Sequence, residues 1–189
     1  HADEPVMMDR LAMIERRNLR LYGYGVKGFT LSMIETAMEL CDGEAPPHIV
    51  REILAAGREM LNHPVETLPG VDDVVAELAD QYRLILVTKG DLIDQERKLA
   101  ASGLGEHFSA VEIVSEKDTT TYARVLQELD TAASTFVMVG NSLRSDIEPV
   151  IRLGGWGVHM PYHVTWAHEA DHSHRPMQHV CSASKARHS

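Results

Sequence analysis

The chain has 189 residues and a formal net charge of −10, with 44% hydrophobic and 24% charged residues. This length predicts one domain, or one core domain with a small appendage, and the composition excludes wholesale disorder. The acidic balance argues against nucleic acid or membrane surfaces as partners engaged through bulk charge.

Cysteine content and hydropathy bear on the compartment. Cys41 and Cys181 lie far apart in the chain and form no disulfide framework, which favours a reducing environment. The sequence shows no secretory signal pattern and no apolar run long enough to span a membrane. We therefore expect a cytoplasmic protein.

The first third of the chain, from about Glu4 to Asn62, has a helical texture. Apolar residues recur there at three- and four-residue spacing, as in Leu31, Ile34 and Met38. The predicted breaks are Gly23, Gly25, Gly28 and the pair Pro46–Pro47. The predicted core fillers include Met7, Met8 and Met13. These signals predict an all-helical subdomain of three or four helices.

From Val71 onward, helices alternate with short apolar strands. The predicted helices are Val71–Tyr82, Leu92–Ser102, Tyr122–Leu129 and Ile147–Leu153. The predicted strands are Leu84–Val87, Val111–Val114, Phe136–Val139 and Gly157–Met160. Continuous apolar strands separated by helices indicate an α/β fold whose parallel sheet is covered on both faces. Residues beyond about Asp171 are expected to be loose.

Polar groups follow the predicted strands where each strand ends. Thr88 follows the first strand, Lys117 follows the second, and Asp146 comes shortly after the third. Ligands of open parallel sheets bind at the carboxyl ends of the strands. A hydroxyl can donate to a phosphate oxygen, an ammonium can neutralise developing charge, and a carboxylate can ligate Mg²⁺. The set predicts a phosphate and magnesium site.

Each of these residues also has a purely local interpretation. Thr88, with Asp91, can cap the next helix, and Lys117 can be a solvated surface lysine. Asn141 can serve as a cap, while Asp146 can be a first-turn acid favoured by the helix dipole. The ordered set favours the functional interpretation more strongly than any single member does.

Three segments together resemble the haloacid-dehalogenase-like hydrolases, in particular phosphatases with a helical cap. They are Leu84–Gly90 (LILVTKG), Glu116–Asp118 (EKD) and Val139–Asp146 (VGNSLRSD). The resemblance implies a three-layer Rossmann-like core at residues 67–170 and an all-helical cap at residues 1–66. A His-rich flexible tail would remain at residues 171–189.

The resemblance also implies a chemistry, which is phosphoryl transfer through an aspartyl-phosphate. Thr88 and Lys117 would be the catalytic residues in this chain, and Lys89 and Gly90 would join them in binding the phosphate. Asn141 and Asp146 would hold Mg²⁺, directly or through water. The substrate class implied is a small phosphorylated metabolite, chosen by the cap.

Two departures from the family pattern qualify this prediction. Gly140-Asn141 stands where the family often has Gly-Asp, and metal-independent 2-haloacid dehalogenases also place an Asn in this region. The Asp-x-Asp of the family's first motif, which carries the nucleophile, occurs nowhere in these 189 residues. In the family it follows a central strand, so we expect roughly twenty preceding residues to supply both. The 189 residues alone are expected to be inactive.

Two alternatives of other classes remain open. The first is an inactive phosphate-binding or interaction module that lacks the nucleophile. The second is a zinc peptidase, because His168-Glu169-Ala170-Asp171-His172 fits the His-Glu-x-x-His pattern. The surrounding sequence fits that pattern poorly, since no acidic residue follows Asp171.

Overall fold

The computed structural model describes residues 3–162 and 180–182. The chain divides into two compact units, His1–Ser115 and Glu116–Ser189. The division into cap, core and tail at residues 66 and 170 remains a prediction. In the described part of the chain, no helix has the length and apolarity needed to cross a membrane.

Three helices open the first unit: α1 (Glu4–Tyr22), α2 (Val26–Leu40) and α3 (Pro47–Asn62). Proline lies in the first turn of α1 and of α3, where its missing N–H would have no helical partner in any case. Gly23 ends α1 with a φ of 69°, and its N–H donates to the carbonyl of Leu19 at 3.1 Å. Helix α1 packs on α2, and α2 packs on α3. The predicted all-helical segment is therefore present.

Two predictions about this segment are wrong. Gly28 does not break a helix but lies buried inside α2, where an added Cβ would come within 2.8 Å of the Gly23 carbonyl. Met8 and Met13 are 55% and 56% exposed, and Met7 is 42% exposed. The face of α1 that is buried carries Ile14 and Asn18, and Met8 and Met13 lie about 100–120° around the helix from Ile14.

The remainder of the first unit is a two-stranded parallel sheet with helices. Its elements in chain order are α4 (Val71–Ala79), β1 (Ile85–Lys89), α5 (Leu92–Ser102) and β2 (Ala110–Val114). The register pairs Ile85 with Ala110 and Lys89 with Val114, so β1 and β2 end together. Helix α5 begins where the Asp91 carboxylate accepts a hydrogen bond from the Asp94 N–H, and it ends at left-handed Gly103.

The second unit is a three-stranded parallel sheet with helical elements. Its elements are α6 (Thr119–Glu128), β3 (Val137–Gly140), a π-helical turn (Leu143–Ile147), α7 (Glu148–Arg152), β4 (Trp156–His159) and β5 (Val180–Ser182). The strand order is β3-β4-β5. Five side chains in its core are almost completely buried: Tyr122, Val125, Leu126, Ile147 and Val150.

The sheets differ from the predicted one in two respects. Within the described residues the strands form two sheets, and β3 is buried on one face only: Met138 is 9% exposed, whereas Val137 and Val139 are 52% and 57% exposed. Successive strand residues point to opposite faces, so a continuous apolar run does not ensure burial of both. Strand β5 lies in the stretch predicted to be a loose tail.

Candidate active site

The carboxyl end of β1 carries the first predicted site residues: Thr88 and Lys89, predicted to follow the strand, are its last two residues, and Gly90 comes directly after it. The Thr88 hydroxyl donates to Oε1 of Gln95 at 3.1 Å, with a longer contact of 3.4 Å to the Lys89 carbonyl. Gly90 has a φ of 145°, which favours glycine, and an added Cβ there would lie 2.7 Å from Nε2 of Gln95. The two ends of the Gln95 amide thus face different neighbours: Oε1 contacts the Thr88 hydroxyl, and Nε2 lies beside the backbone of Gly90.

The turn between α1 and α2 and the first turn of α2 contact this same segment. The Lys89 ammonium is 4.1 Å from the centroid of the Tyr24 ring, a cation–π distance. Lys27 Nζ donates to Asp91 Oδ1 at 2.8 Å. The pKa of Asp91 lies below its usual value, chiefly because of the Lys27 hydrogen bond and also because of its bond from the Asp94 N–H. These contacts connect the helical segment to the end of β1, where Thr88 lies, and to the start of α5.

In the second unit the structure brings Lys117 and Asp146 together. Lys117 Nζ donates to Asp146 Oδ1 at 2.7 Å, and the two side chains are only 13% and 5% exposed. The other oxygen, Oδ2, accepts the Ser142 N–H at 3.0 Å. An added Cβ on Gly140 would overlap the Asp146 carboxylate. Glycine is therefore required at the end of β3 for the carboxylate to approach the backbone so closely.

A π-helical turn holds Asp146 in this position. The Ser142 carbonyl accepts the Asp146 N–H at 2.8 Å, and the Ser142 hydroxyl accepts the Ser145 N–H at 3.1 Å. Ser142, Ser145 and Asp146 are all buried. The buried orientation of Asp146 follows from this local hydrogen bonding together with the ion pair to Lys117.

Asn141, the second predicted metal ligand, is exposed, and its backbone is anchored from β4. His159 Nε2 lies 3.1 Å from the Asn141 carbonyl, and because a carbonyl only accepts, this nitrogen carries the proton. The Met160 N–H donates to the Gly140 carbonyl at 2.8 Å. Sequence reasoning missed both His159 and Gln95. Gln95 could have been inferred from its place one turn into the helix after Thr88, whereas His159 becomes visible only once β3 and β4 pair.

Two residues of this second unit carry oxygen atoms of the type that magnesium binds. Mg²⁺ is commonly held by one or two carboxylates with the remaining positions taken by water and phosphate oxygens. The Asp146 carboxylate is such a donor, with both of its oxygens accepting hydrogen bonds from this chain, and the exposed Asn141 carries a neutral amide oxygen. Among the described residues no group of three or more His, Cys, Asp or Glu side chains could hold a metal without such partners. The His168-Glu169-x-x-His172 pattern lies outside the described residues.

The structure is that of an α/β protein with parallel strands and a buried lysine–carboxylate pair, Lys117 and Asp146. Comparison with known proteins identifies its family. The chain matches the haloacid dehalogenase-like hydrolases over residues 5–154. Since the match covers most of the chain, the protein belongs to the haloacid dehalogenase-like hydrolase family. The predicted Rossmann-like α/β fold class is confirmed.

Solved structures support this assignment. A haloacid dehalogenase-like hydrolase from Xanthomonas campestris is 53% identical, with a TM-score of 0.79, and the match covers 82% of this chain and 67% of that one. A HAD-family hydrolase from Bacillus subtilis, bound to magnesium, is 18% identical, with a TM-score of 0.60 and coverage of 84% and 74%. A 2-haloacid dehalogenase from Pseudomonas syringae is 18% identical, with a TM-score of 0.56 and coverage of 87% and 73%.

At 18% identity the last two structures establish the common fold only. A comparison with curated proteins gave no significant match.

Proposed function

We propose that this hydrolase is a Mg²⁺-dependent phosphatase that acts on a small phosphorylated metabolite through an aspartyl-phosphate. The observation that carries the proposal is the nearly buried ion pair between Lys117 and Asp146. Removing two charges from water is costly, and many buried ion pairs contribute little net stability. A pair of this kind, in a segment that resembles the motifs of phosphatases, is well suited to hold a cation and a phosphate together.

The side chains of this chain have distinct tasks in the proposed reaction. An ammonium has three N–H donors, and Lys117 uses one on Asp146, so others can bind phosphoryl oxygens. The Thr88 hydroxyl is a further donor for the phosphoryl group, with Gly90 and Lys89 beside it. Donors arranged before the reaction stabilise the charge that develops on the transferring phosphoryl group.

Asp146 and Asn141 would hold the Mg²⁺ ion, which when bound supplies positive charge to the phosphoryl oxygens. A Bacillus subtilis hydrolase of similar fold is described as bound to magnesium, which supports this part of the proposal. Asn141 contributes one negative charge less than an aspartate would, so Asp146 carries more of the ion's binding.

The proposed nucleophile is an aspartate outside these 189 residues, within an Asp-x-Asp motif. Its carboxylate oxygen forms a bond to phosphorus as the ester P–O bond breaks, and the second aspartate gives its proton to the departing alcohol. The same residue then takes a proton from water, whose oxygen attacks phosphorus and releases the enzyme carboxylate and inorganic phosphate. The N-terminal sequence and intact mass of the natural protein test for this segment.

The activity is tested with p-nitrophenyl phosphate in a form of the protein that includes the Asp-x-Asp segment. We expect turnover with Mg²⁺ and its loss in EDTA. Thr88→Val and Lys117→Met should each lower kcat on the order of 10²–10³-fold, as loss of a transition-state donor does elsewhere. The matched control is Arg152→Met, which removes the exposed cation of a surface pair. Full activity of Asp146→Ala would contradict the metal assignment.

A second candidate is a metal-independent 2-haloacid dehalogenase, which Asn141 favours because it replaces an acid. This function predicts chloride release from 2-chloropropionate in EDTA, with no turnover of p-nitrophenyl phosphate. If the natural protein lacks Asp-x-Asp, and inorganic phosphate binds without turnover, the protein is instead an inactive binding module. Zinc peptidase activity would require stoichiometric zinc and cleavage of casein.

A further inference from the structure

Gln95 is the only side chain that the structure shows accepting the Thr88 hydroxyl proton within the described residues; the other contact of this hydroxyl is to a backbone carbonyl. Gln95 lies in the first turn of α5, seven residues after Thr88. Its amide is half-buried against Gly90, so close that any side chain at Gly90 would displace it. The amide therefore lies between the Thr88 hydroxyl and Gly90.

The hydrogen bond between Thr88 and Gln95 conflicts with the binding of a phosphoryl group. A threonine hydroxyl has one proton and accepts through its lone pairs. The three unprotonated oxygens of a phosphate or phosphate-ester dianion only accept, so Thr88 must donate its proton to bind one of them. It cannot do so while the same proton is given to Oε1 of Gln95.

A glutamine amide can resolve this conflict because it carries both an acceptor and a donor. The final torsion of glutamine is broad and roughly two-fold, so the amide can reverse its ends in nearly the same volume. With the amide reversed, Nε2–H donates to Thr88 Oγ1. The hydroxyl proton is then free to point toward the anion.

We propose that Gln95 is a positioning residue that acts through Thr88: when a phosphoryl group binds, its amide reverses, donates to Thr88 Oγ1, and directs the hydroxyl proton to a phosphoryl oxygen. This inference rests on the proposed function for the identity of the anion. Gln95 does not itself need to touch the substrate.

The test is a double-mutant cycle on the binding of inorganic phosphate, measured by calorimetry with Mg²⁺ present. Gln95→Leu keeps similar bulk without hydrogen bonding, and it should weaken phosphate binding about 10-fold, the equivalent of one hydrogen bond. Gln95→Glu can only accept and adds negative charge, so its loss should be larger, about 100-fold. In a Thr88→Val background, Gln95→Leu should change phosphate binding less than about 2-fold, because the hydroxyl it orients is gone.

The control is Gln127→Leu, the same change at an exposed glutamine of α6. If Gln95→Leu does not fold by circular dichroism, Gln95→Asn takes its place, since it keeps the amide but is one methylene too short to reach Thr88. Equal effects of the Gln95 substitution in the wild-type and Thr88→Val backgrounds would show a merely structural role and overturn the inference.

The outcomes separate this inference from the proposed function. If p-nitrophenyl phosphate is turned over but the effects of the Gln95 and Thr88 substitutions on phosphate binding are additive, the protein is a phosphatase in which Gln95 does not position Thr88. If phosphate binds and the two substitutions are coupled, but no ester is turned over, the positioning role of Gln95 is supported and the proposed phosphatase activity is contradicted. A wild-type protein that neither binds phosphate nor hydrolyses the ester contradicts both.

Discussion

Replacing Lys117 by Met is expected to destabilise the protein strongly, whatever its effect on catalysis. At 2.7 Å, the attraction between Lys117 Nζ and Asp146 Oδ1 is about 6 kcal/mol at an effective dielectric constant of about 20. Much of this attraction offsets the desolvation of the two charges. Removing the lysine leaves the carboxylate, which is 5% exposed, without its cation, and such losses amount to about 3–5 kcal/mol.

The measurement is urea unfolding at about 25 °C of Lys117→Met, Asp146→Asn and the double variant, with Arg152→Met as control. Arg152 pairs with Glu148 at 3.2 Å but is 68% exposed, so its loss should cost only about 0–1 kcal/mol. The double variant should be less destabilised than the sum of the singles, because it leaves neither charge buried alone. If Lys117→Met costs no more than Arg152→Met, or if the singles simply add, the pair is not a buried coupled pair.

Two further predictions concern residues beside the site. Gly140→Ala places a methyl group where the Asp146 carboxylate lies and should lower the free energy of unfolding by about 1–3 kcal/mol. The control Gly105→Ala should be tolerated, because the nearest atom to the added methyl group would be 3.7 Å away. Equal urea midpoints of the two variants would contradict the steric argument. Asp91→Asn removes a carboxylate whose pKa is lowered by Lys27. The charged carboxylate stabilises the folded state above the unfolded pKa of about 3.9, and this stabilisation is lost as pH falls through the lower folded pKa. The stability gap between wild type and Asp91→Asn should therefore shrink below about pH 4, and a gap that stays constant from about pH 7 to about pH 3 in urea titrations would refute the ion-pair explanation.

Local signals determined the helices and strands well where the responsible residues are neighbours. Helix α5 was predicted at Leu92–Ser102 and has those bounds, since Asp91 caps one end and Gly103 ends the other. The strand predictions were displaced by one or two residues, because apolar runs define their centres better than their ends; β1 extends two residues further than predicted and includes Thr88 and Lys89. Helices α4 and α6 were predicted less accurately, because α4 ends at Ala79 rather than Tyr82 and α6 begins at Thr119 rather than Tyr122. The π-helical turn before α7 was not predicted, since the hydrogen bonds of Ser142 that shape it have no simple sequence signature.

The candidate site divides in the same way. The sequence identified Lys117 and Asp146 by their positions after successive strands, but their separation of 2.7 Å and their burial depend on how the second unit packs. The roles of Thr88, Lys89, Gly90, Lys117, Asn141 and Asp146 stay predictions, which the experiments above test. Sequence reasoning could not have placed Tyr24 over Lys89, because the two residues are distant along the chain.

By itself, the sequence determined the order of helices and strands, the family, and which residue types follow each strand. Propensity, capping and periodicity act between residues a few positions apart, so they can be read directly from the chain. Only the tertiary structure decided that Gln95 accepts the Thr88 proton, that His159 binds the Asn141 carbonyl, and that Met8 and Met13 are exposed. These features depend on which surfaces meet when distant segments pack, and that packing minimises the free energy of the whole chain rather than of any one segment.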